Sequence, residues 1–264
     1  MIGQENNLKI IKKWRCNKSI PRFIIISGAR GSGRLTLAKV IIKMINAKGI
    51  IMGNSIAEVR ETIENAYTIT DTTCYIFRNA DDMKNEAKNA VLKVVEEPPN
   101  KAYFIMTVEN IDNMLGTIKS RGTVIRMEPY SIEQLRILCS DEILLEYGSN
   151  PGQLQIDKKE VEIAENCADE IIKALLTKSG TKLLKATTQL SSKKSETDKI
   201  DCDLFFRIFQ KRLFNTMQST LLEFNPGILS ECKNQLCRST INKKASIECM
   251  LIKILEDIKN AEIS

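Results

Sequence analysis

The residues whose types and spacing could do chemistry begin with Gly28-Ala-Arg-Gly31-Ser32-Gly33-Arg34-Leu35-Thr36, set between the apolar run Phe23 to Ser27 and a helical pattern through Leu37, Val40, Ile41 and Met44. A glycine-rich turn that joins a strand to a helix start aims loop amides and the helix dipole at one spot, which makes a cradle for a phosphate. A ligand-free strand-to-helix turn would not require three glycines at this spacing. The part of such a loop that serves hydrolysis is altered. In the pattern G-x-x-x-x-G-K-[ST], lysine would stand at Arg34 and the magnesium-binding hydroxyl at Leu35. Arg34 keeps the charge, but a planar fork does not simply replace a compact ammonium. Leu35 ligates nothing. Thr36, one position on, can still donate to a phosphate oxygen, which leaves residual nucleotide binding open.

An acidic pair should close the third strand and organise metal and water, yet Cys74 to Phe77 runs into Arg78-Asn79. A cation at Arg78 disfavours a divalent ion beside it. Asp81 and Asp82 fall past the strand end, and their expected role is to cap the helix from Asn85 to Glu97. Without metal or base, the barrier to phosphoryl transfer rises by on the order of several kcal/mol. The chain has no histidine, so imidazole bases, histidine triads and imidazole metal ligands are excluded. Its eight cysteines form no C-x-x-C, and Cys232 and Cys237, the closest pair, are separated by four residues. No zinc or other metal site is expected, and most of the thiols read as small hydrophobes of a reducing cytosol.

Elements must hold these residues in place. Short apolar runs at Phe23–Ser27, Gly49–Met52, Cys74–Phe77, Tyr103–Thr107 and Val124–Met127 alternate with amphipathic stretches, the rhythm of a parallel sheet covered by helices. Ile56, Val59, Ile63 and Ala66 share one helical face, and Ala87, Ala90, Val91, Val94 and Val95 share another that stops at Pro98-Pro99. After Pro129 strand-like runs cease. Ile132, Leu135, Leu138 and Cys139 mark a helix before the turn Gly148-Ser-Asn-Pro-Gly152. From Asp157 the pattern is helical, with Phe206, Phe209, Leu213 and Met217 on one face and Ile247, Met250, Leu251, Ile254, Leu255 and Ile258 on another; Ser191 to Asp198 reads as a loop. Exposed apolar surface on the helices at 203–222 or 243–258 would indicate contact between subunits, and full burial only a helical core.

Charge is unevenly placed along the 264 residues. Residues 1–128 carry 20 Lys or Arg against 13 Asp or Glu, and residues 129–264 carry 19 against 20; the first 48 hold 11 basic residues and a single acid, Glu5. Such a field suits a polyanion, although a solvated basic face would look the same. The lack of a long apolar run or a signal-peptide core leads to the expectation of a soluble cytoplasmic protein without a membrane partner.

These stretches resemble the AAA+ clamp-loader subunits, and within them the delta-prime type of DNA polymerase III. The resemblance is carried by Gly3-Gln4, the loop Gly28 to Thr36, Glu86 to Glu97 with Pro98-Pro99, Phe104 to Asn110, Thr117-Ile-Lys-Ser120-Arg121, Gly148 to Gly152 and, more faintly, Thr240 to Leu251. It implies an α/β P-loop (AAA+) parallel-sheet domain over 1–128, a short helical lid over 129–156 and an all-α collar over 157–264 through which five subunits associate. It also implies that Arg121, in Ser120-Arg121-Gly122, acts as an arginine finger on a nucleotide held by the neighbouring subunit. Nucleotide contacts would come from Gly28, Gly31, Ser32, Gly33, Arg34, Leu35 and Thr36, with Arg78 and Asn79 at the degenerate acidic positions. Glu109, or its neighbour Asn110, stands where a polar sensor would sit, and Gln153 replaces a sensor arginine. The family's Cys after Ser-Arg is Gly122, and its four-cysteine zinc module is missing between Lys48 and Gly49. The expected role is that of a non-hydrolysing stator in a replicative hetero-pentamer, reaching primer-template DNA through the assembled complex in the nucleoid, with no cofactor required and ATP or ADP binding left over from ancestry. Contact with the sliding clamp is left open. An active ATPase with a variant loop and a DNA-binding module on a P-loop fold are the alternatives.

Overall fold

A computed structural model describes residues 1–191, 200–219, 224–236 and 242–261. The chain forms two compact units, one of residues 1–141 with 148–154, the other of 142–147 with 155–264.

The first unit is built on five parallel strands, β1 (Phe23–Ser27), β2 (Lys48–Met52), β3 (Thr73–Phe77), β4 (Ala102–Val108) and β5 (Thr123–Arg126), in the order β2-β3-β4-β1-β5. All five expected strands are present. β1 and β3 are buried along their whole length, as strands covered by helices on both faces must be. β2, at the edge, is exposed at Lys48, Gly49 and Ile51 and fully buried at none of its residues. Each fully buried isoleucine of β1 stabilises the fold by about 2 kcal/mol.

Side chains alternate across the sheet. Ile24, Ile26, Ile76 and Ile105 pack with Ile11 of α1 (Glu5–Cys16) and Leu37, Ala38 and Ile41 of α2 (Arg34–Ile45). Phe23, Ile25, Tyr75, Phe77, Phe104 and Met106 pack with Val59 and Ala66 of α3 (Ile56–Thr68) and Ala87, Val91, Val94 and Val95 of α4 (Asn85–Glu96). A capping box between Ser55 and Glu58 starts α3, and α4 ends just short of Pro98. The short α5 (Gly116–Lys119) precedes β5, and α6 (Ile132–Leu138) follows it, opened by a capping box of Ser131 and Gln134. The apolar face expected on α6 is realised only at Leu135. Ile132 and Leu138 are exposed, because a seven-residue helix is too short to lay more than one turn against the unit.

The second unit consists of α7 (Glu142–Tyr147), α8 (Lys158–Leu176), α9 (Gly180–Thr187), α10 (Cys202–Ser219), α11 (Gly227–Leu236) and α12 (Lys243–Asn260). Phe206, Phe209 and Leu213 of α10 and all six expected residues of α12 are buried in one core. One expectation is corrected: strands do not cease after Pro129, since Leu190–Ser191 and Ile200–Asp201 form a two-residue parallel pair, β6 and β7, too short to leave an alternating pattern. The loop expected at 191–198 lies, beyond Ser191, outside the described residues. Arg212 of α10 clamps this unit. Its Nη1 donates to both carboxylate oxygens of Asp169, at 2.7 and 2.8 Å, and its Nη2 pairs with Glu165 Oε1 at 2.7 Å, while the Tyr147 hydroxyl donates to Glu165. No helix of the described residues is long and apolar enough to cross a membrane.

Candidate functional site

The site lies at the carboxyl ends of three adjacent strands, β1, β4 and β3, where an open parallel sheet presents its crevice. From the end of β1 the chain turns through Gly28–Gly33 into α2. Gly31 at φ +86° and Gly33 at φ +92° adopt the left-handed region, which explains two of the glycines. The Gly28 amide donates to the carbonyl of Val108 on β4, and the Ser32 carbonyl accepts from the Tyr130 hydroxyl, so both ends of the loop are tied down.

Arg34 is 7% exposed and turns inward along the strand ends. Its Nη2 donates to Asn79 Oδ1 at 3.3 Å and lies 3.6 Å from Glu109 Oε1. The structure thus brings together Arg34, Asn79 and Glu109, three residues that the sequence places in separate motifs. Burial pulls the Arg34 guanidinium below its ordinary pKa, while the carboxylates of Glu109 and Asp81 oppose that pull. It remains charged at neutral pH. Leu35 packs its side chain toward the core beside α1 and α2, whereas Thr36 and Arg78 are exposed. The Arg78 carbonyl accepts from Asn54, and the Asn79 amide donates to the Thr107 hydroxyl.

Asp81 has a different role from the one its position suggests. The residue at the start of α4 is Lys84, with no side-chain cap. Asp81 Oδ2 instead accepts from the amides of Glu109 at 2.9 Å and Asn110 at 3.4 Å, which fixes the end of β4. The strand end leaves those amides without a ladder partner, and a carboxylate within reach satisfies both. Lys88, 5% exposed, completes this side by donating to the carbonyls of Asp81 and Asn113.

The turn Gly148–Gly152 packs on the glycine-rich loop Gly28–Gly33. The Gly152 amide donates to the Gly31 carbonyl at 3.0 Å. Gln153 closes the turn on itself, its Oε1 accepting from the Ser149 amide and hydroxyl, each at 2.9 Å. A Cβ on Gly152 would lie 2.4 Å from Gly31 Cα, and one on Gly31 would lie 2.5 Å from Asn150 Oδ1. Gly152→Ala is therefore expected to destabilise the first unit by about 1–3 kcal/mol, because backbone must move. Thermal unfolding reads this as a Tm lowered by at least about 2 °C. Within the first unit, Ser32 Oγ, Arg34 Nη1, Asp81 Oδ1 and Asn150 Nδ2 are buried without a hydrogen-bond partner. Asn150, 3% exposed, is a site residue that sequence reasoning passed over. Asparagine is an ordinary turn residue, so the sequence carries no signal that sets it apart.

Arg121 lies apart from this cluster. Its Nη2 pairs with Glu96 Oε1 at 2.6 Å and its Nη1 donates to the Thr117 carbonyl at 2.9 Å, while about a third of the side chain stays exposed. Among the described residues no group of three or more Cys, Asp or Glu is placed to hold a metal ion.

A five-stranded parallel sheet with a glycine-rich loop at the end of β1 defines a fold class, and solved structures share it. RuvB of Thermotoga maritima, in a single-site variant, is similar in structure with a TM-score of 0.53 at 12% identity, covering 99% of this chain and 88% of that one. A DNA polymerase III gamma subunit-related protein of the same organism has a TM-score of 0.50 at 12% identity, covering 94% and 99%. The first unit shares the α/β fold of these proteins.

In sequence, residues 42–131 match the family described as DNA polymerase III, delta subunit. The DNA polymerase III subunit gamma of Buchnera aphidicola (subsp. Schizaphis graminum) is 25% identical over 51% of this chain and 46% of its own length. Subunit tau of Bacillus subtilis is 24% identical over 64% of this chain and 34% of its own. The chain thus spans about half, or less, of the length of these curated relatives. Over these stretches the chain is similar to subunits of DNA polymerase III.

Proposed function

We propose that the protein is a non-hydrolysing, delta-prime-type stator of a replicative clamp loader, which supports a ring of subunits and lends Arg121 to a nucleotide bound by its neighbour. The observation that carries the reading is the buried Arg34 bound to Asn79 and facing Glu109. A divalent cation seeks hard oxygen ligands in near-octahedral array. Here the adjacent hydroxyl position is Leu35, Asn79 is engaged by Arg34, and one oxygen of Asp81 is committed to backbone amides. A resident guanidinium beside Glu109 repels a second cation, so these residues do not fit magnesium.

The same residues suit an anion better. Ser32 Oγ, Arg34 Nη1 and Asn150 Nδ2 are buried donors without partners beside the loop, which supports residual binding of a nucleotide phosphate. In this reading residues 1–128 are the AAA+ core, the segment 129–156, divided between the two compact units, is the lid, and 157–264 is the collar. No cofactor is required, and no zinc module is carried. Phe214 of α10, 60% exposed, supports the collar role. With Leu213, Met217, Phe224, Pro226 and Leu229 it lines an apolar cavity of about 640 Å³ in the second unit, and exposed apolar surface here is what subunit contact predicts. The partners are other loader subunits in a hetero-pentamer, with primer-template DNA reached through the assembly and the sliding clamp as a further candidate. The setting is the cytoplasm, at the nucleoid.

The test is phosphate release by the pure chain with ATP and magnesium. No turnover above the buffer rate is expected. Sustained turnover, abolished by Arg34→Ala, would overturn the reading in favour of an active ATPase with a variant loop.

A further inference from the structure

The layer formed by α1 and α2 is cationic in a way that nucleotide binding does not use. Between Glu5 and Glu58 the sequence has no carboxylate at all, and it has 11 Lys or Arg. Both helices lie on the same face of the sheet, since Ile11 of α1 and Leu37, Ala38 and Ile41 of α2 share one core cluster with Ile24 and Ile26. Burying those positions turns the others outward. Lys9, Lys12, Lys13 and Arg15 of α1 and Lys39 and Lys43 of α2 are exposed, as are Lys18 after α1 and Lys48 at the start of β2. None of these eight forms an ion pair among the described residues. The opposite layer has the other sign: α3 carries Glu58, Glu61 and Glu64 against Arg60, and α4 carries Glu86 and Glu96 against one exposed cation, Lys93, its Lys88 being buried. The sheet therefore separates a positive face from a negative one.

We infer that the outer face of α1 and α2 is a docking surface for the phosphate backbone of a nucleic-acid duplex, contacted directly by this chain. Two features favour a phosphate backbone over an acidic protein. Ile10, 45% exposed, is the single large apolar side chain that α1 and α2 leave exposed, and their one aromatic ring, Trp14, is half-buried against the core. Protein interfaces are centred on aromatic and apolar anchors, whereas backbone binding needs only mobile cations. The geometry is also suitable. Lys9, Lys12 and Lys13 follow i, i+3, i+4 spacing and Lys39 and Lys43 follow i, i+4, so each helix offers a short row of charge. Packed helices lie about 8–10 Å apart, which sets the two rows side by side. Eight lysines and arginines without carboxylate partners mean that binding displaces condensed counterions and does not first break internal ion pairs. The inference is independent of the stator reading, since it concerns the surface and not the nucleotide pocket.

The experiment is fluorescence anisotropy of the full chain with a mixed-sequence duplex of roughly 20 base pairs, about two helical turns, titrated between about 50 and 200 mM salt. If about five of the eight cations reach phosphates, log K falls with log salt at a slope of about −4.5. Lys9→Glu/Lys12→Glu/Lys13→Glu is expected to weaken binding more than about 10-fold at the low salt and to flatten the slope by about 3. Lys39→Glu/Lys43→Glu should weaken it in the same sense, and Arg60→Glu, on the opposite layer, should change it by less than about 2-fold. All of these side chains are exposed, and an unchanged unfolding temperature shows that each variant is folded. Failure of the wild-type chain to bind at about 100 µM in the low salt, a range that even non-specific binders reach, would overturn the inference. So would wild-type affinity in either multiple variant. Equal competition by poly-glutamate of matched charge would also overturn it, by making the face a site for acidic protein.

Discussion

Replacing Arg121 by alanine is expected to lower DNA-stimulated hydrolysis at the adjoining nucleotide site of an assembled loader by about 10³-fold or more, the usual worth of an arginine finger. Sites that use other fingers keep their rate, so the total falls by the share of this one interface. In the isolated chain Arg121 is occupied by Glu96 at 2.6 Å and by the Thr117 carbonyl. That pair is exposed, and exposed pairs contribute about 0.2–1 kcal/mol, so a neighbour's phosphate outcompetes Glu96 at a cost of no more than about 5-fold. Glu96→Gln should therefore raise the same rate by up to about 5-fold, opposite in sign to Arg121→Ala. The measurement is phosphate release by the reconstituted complex on primed DNA, with co-purification to show that each variant still assembles. An assembled complex with unchanged hydrolysis after Arg121→Ala would remove the finger role.

The second large effect belongs to Arg34, and it concerns stability. Arg34→Ala removes the buried cation that faces Glu109 and draws on Asp81 at the strand ends. Breaking a fully buried pair costs about 3–5 kcal/mol; Glu109 retains partial exposure, so about 2–4 kcal/mol is expected here. In urea the midpoint should fall, with the slope m unchanged. Glu109→Gln alone should cost less. Combined with Arg34→Ala, it should show a coupling of about 1–2 kcal/mol, since the two groups face each other directly. An Arg34 that served only a bound phosphate would give the opposite pattern: little change in urea and no coupling.

Much of the sheet could be read from residue order. Runs such as Phe23–Ser27 and Thr73–Phe77 are buried on both faces, and a strand in that position has to be apolar throughout, so the pattern is visible without coordinates. The α4 face at Ala87, Val91, Val94 and Val95 was equally plain, because a long periodic helix has one way to hide its apolar side. The helix α6 was misread in part, since seven residues carry too little periodicity to show which apolar side chains stay in solvent. The β6–β7 pair left no pattern at all.

The sequence by itself determined which groups are present around the phosphate loop: glycines at Gly31 and Gly33 that permit positive φ, an arginine in place of lysine, a leucine in place of a hydroxyl, and Arg78-Asn79 in place of two acids. It also determined that one stretch of more than fifty residues, from Asn6 to Ala57, has cations and no anions. Only the tertiary structure decided where these groups point. That Arg34 reaches Asn79 and Glu109 and that Asp81 holds the end of β4 and does not cap α4 depend on β4 lying between β1 and β3, and that Asn150 and Gly152 press against Gly31 depends on the chain returning there more than a hundred residues later. Spacing along a chain records contacts within a turn or a strand. A contact across strand ends depends on the order in which strands are laid side by side, and no local periodicity encodes that order.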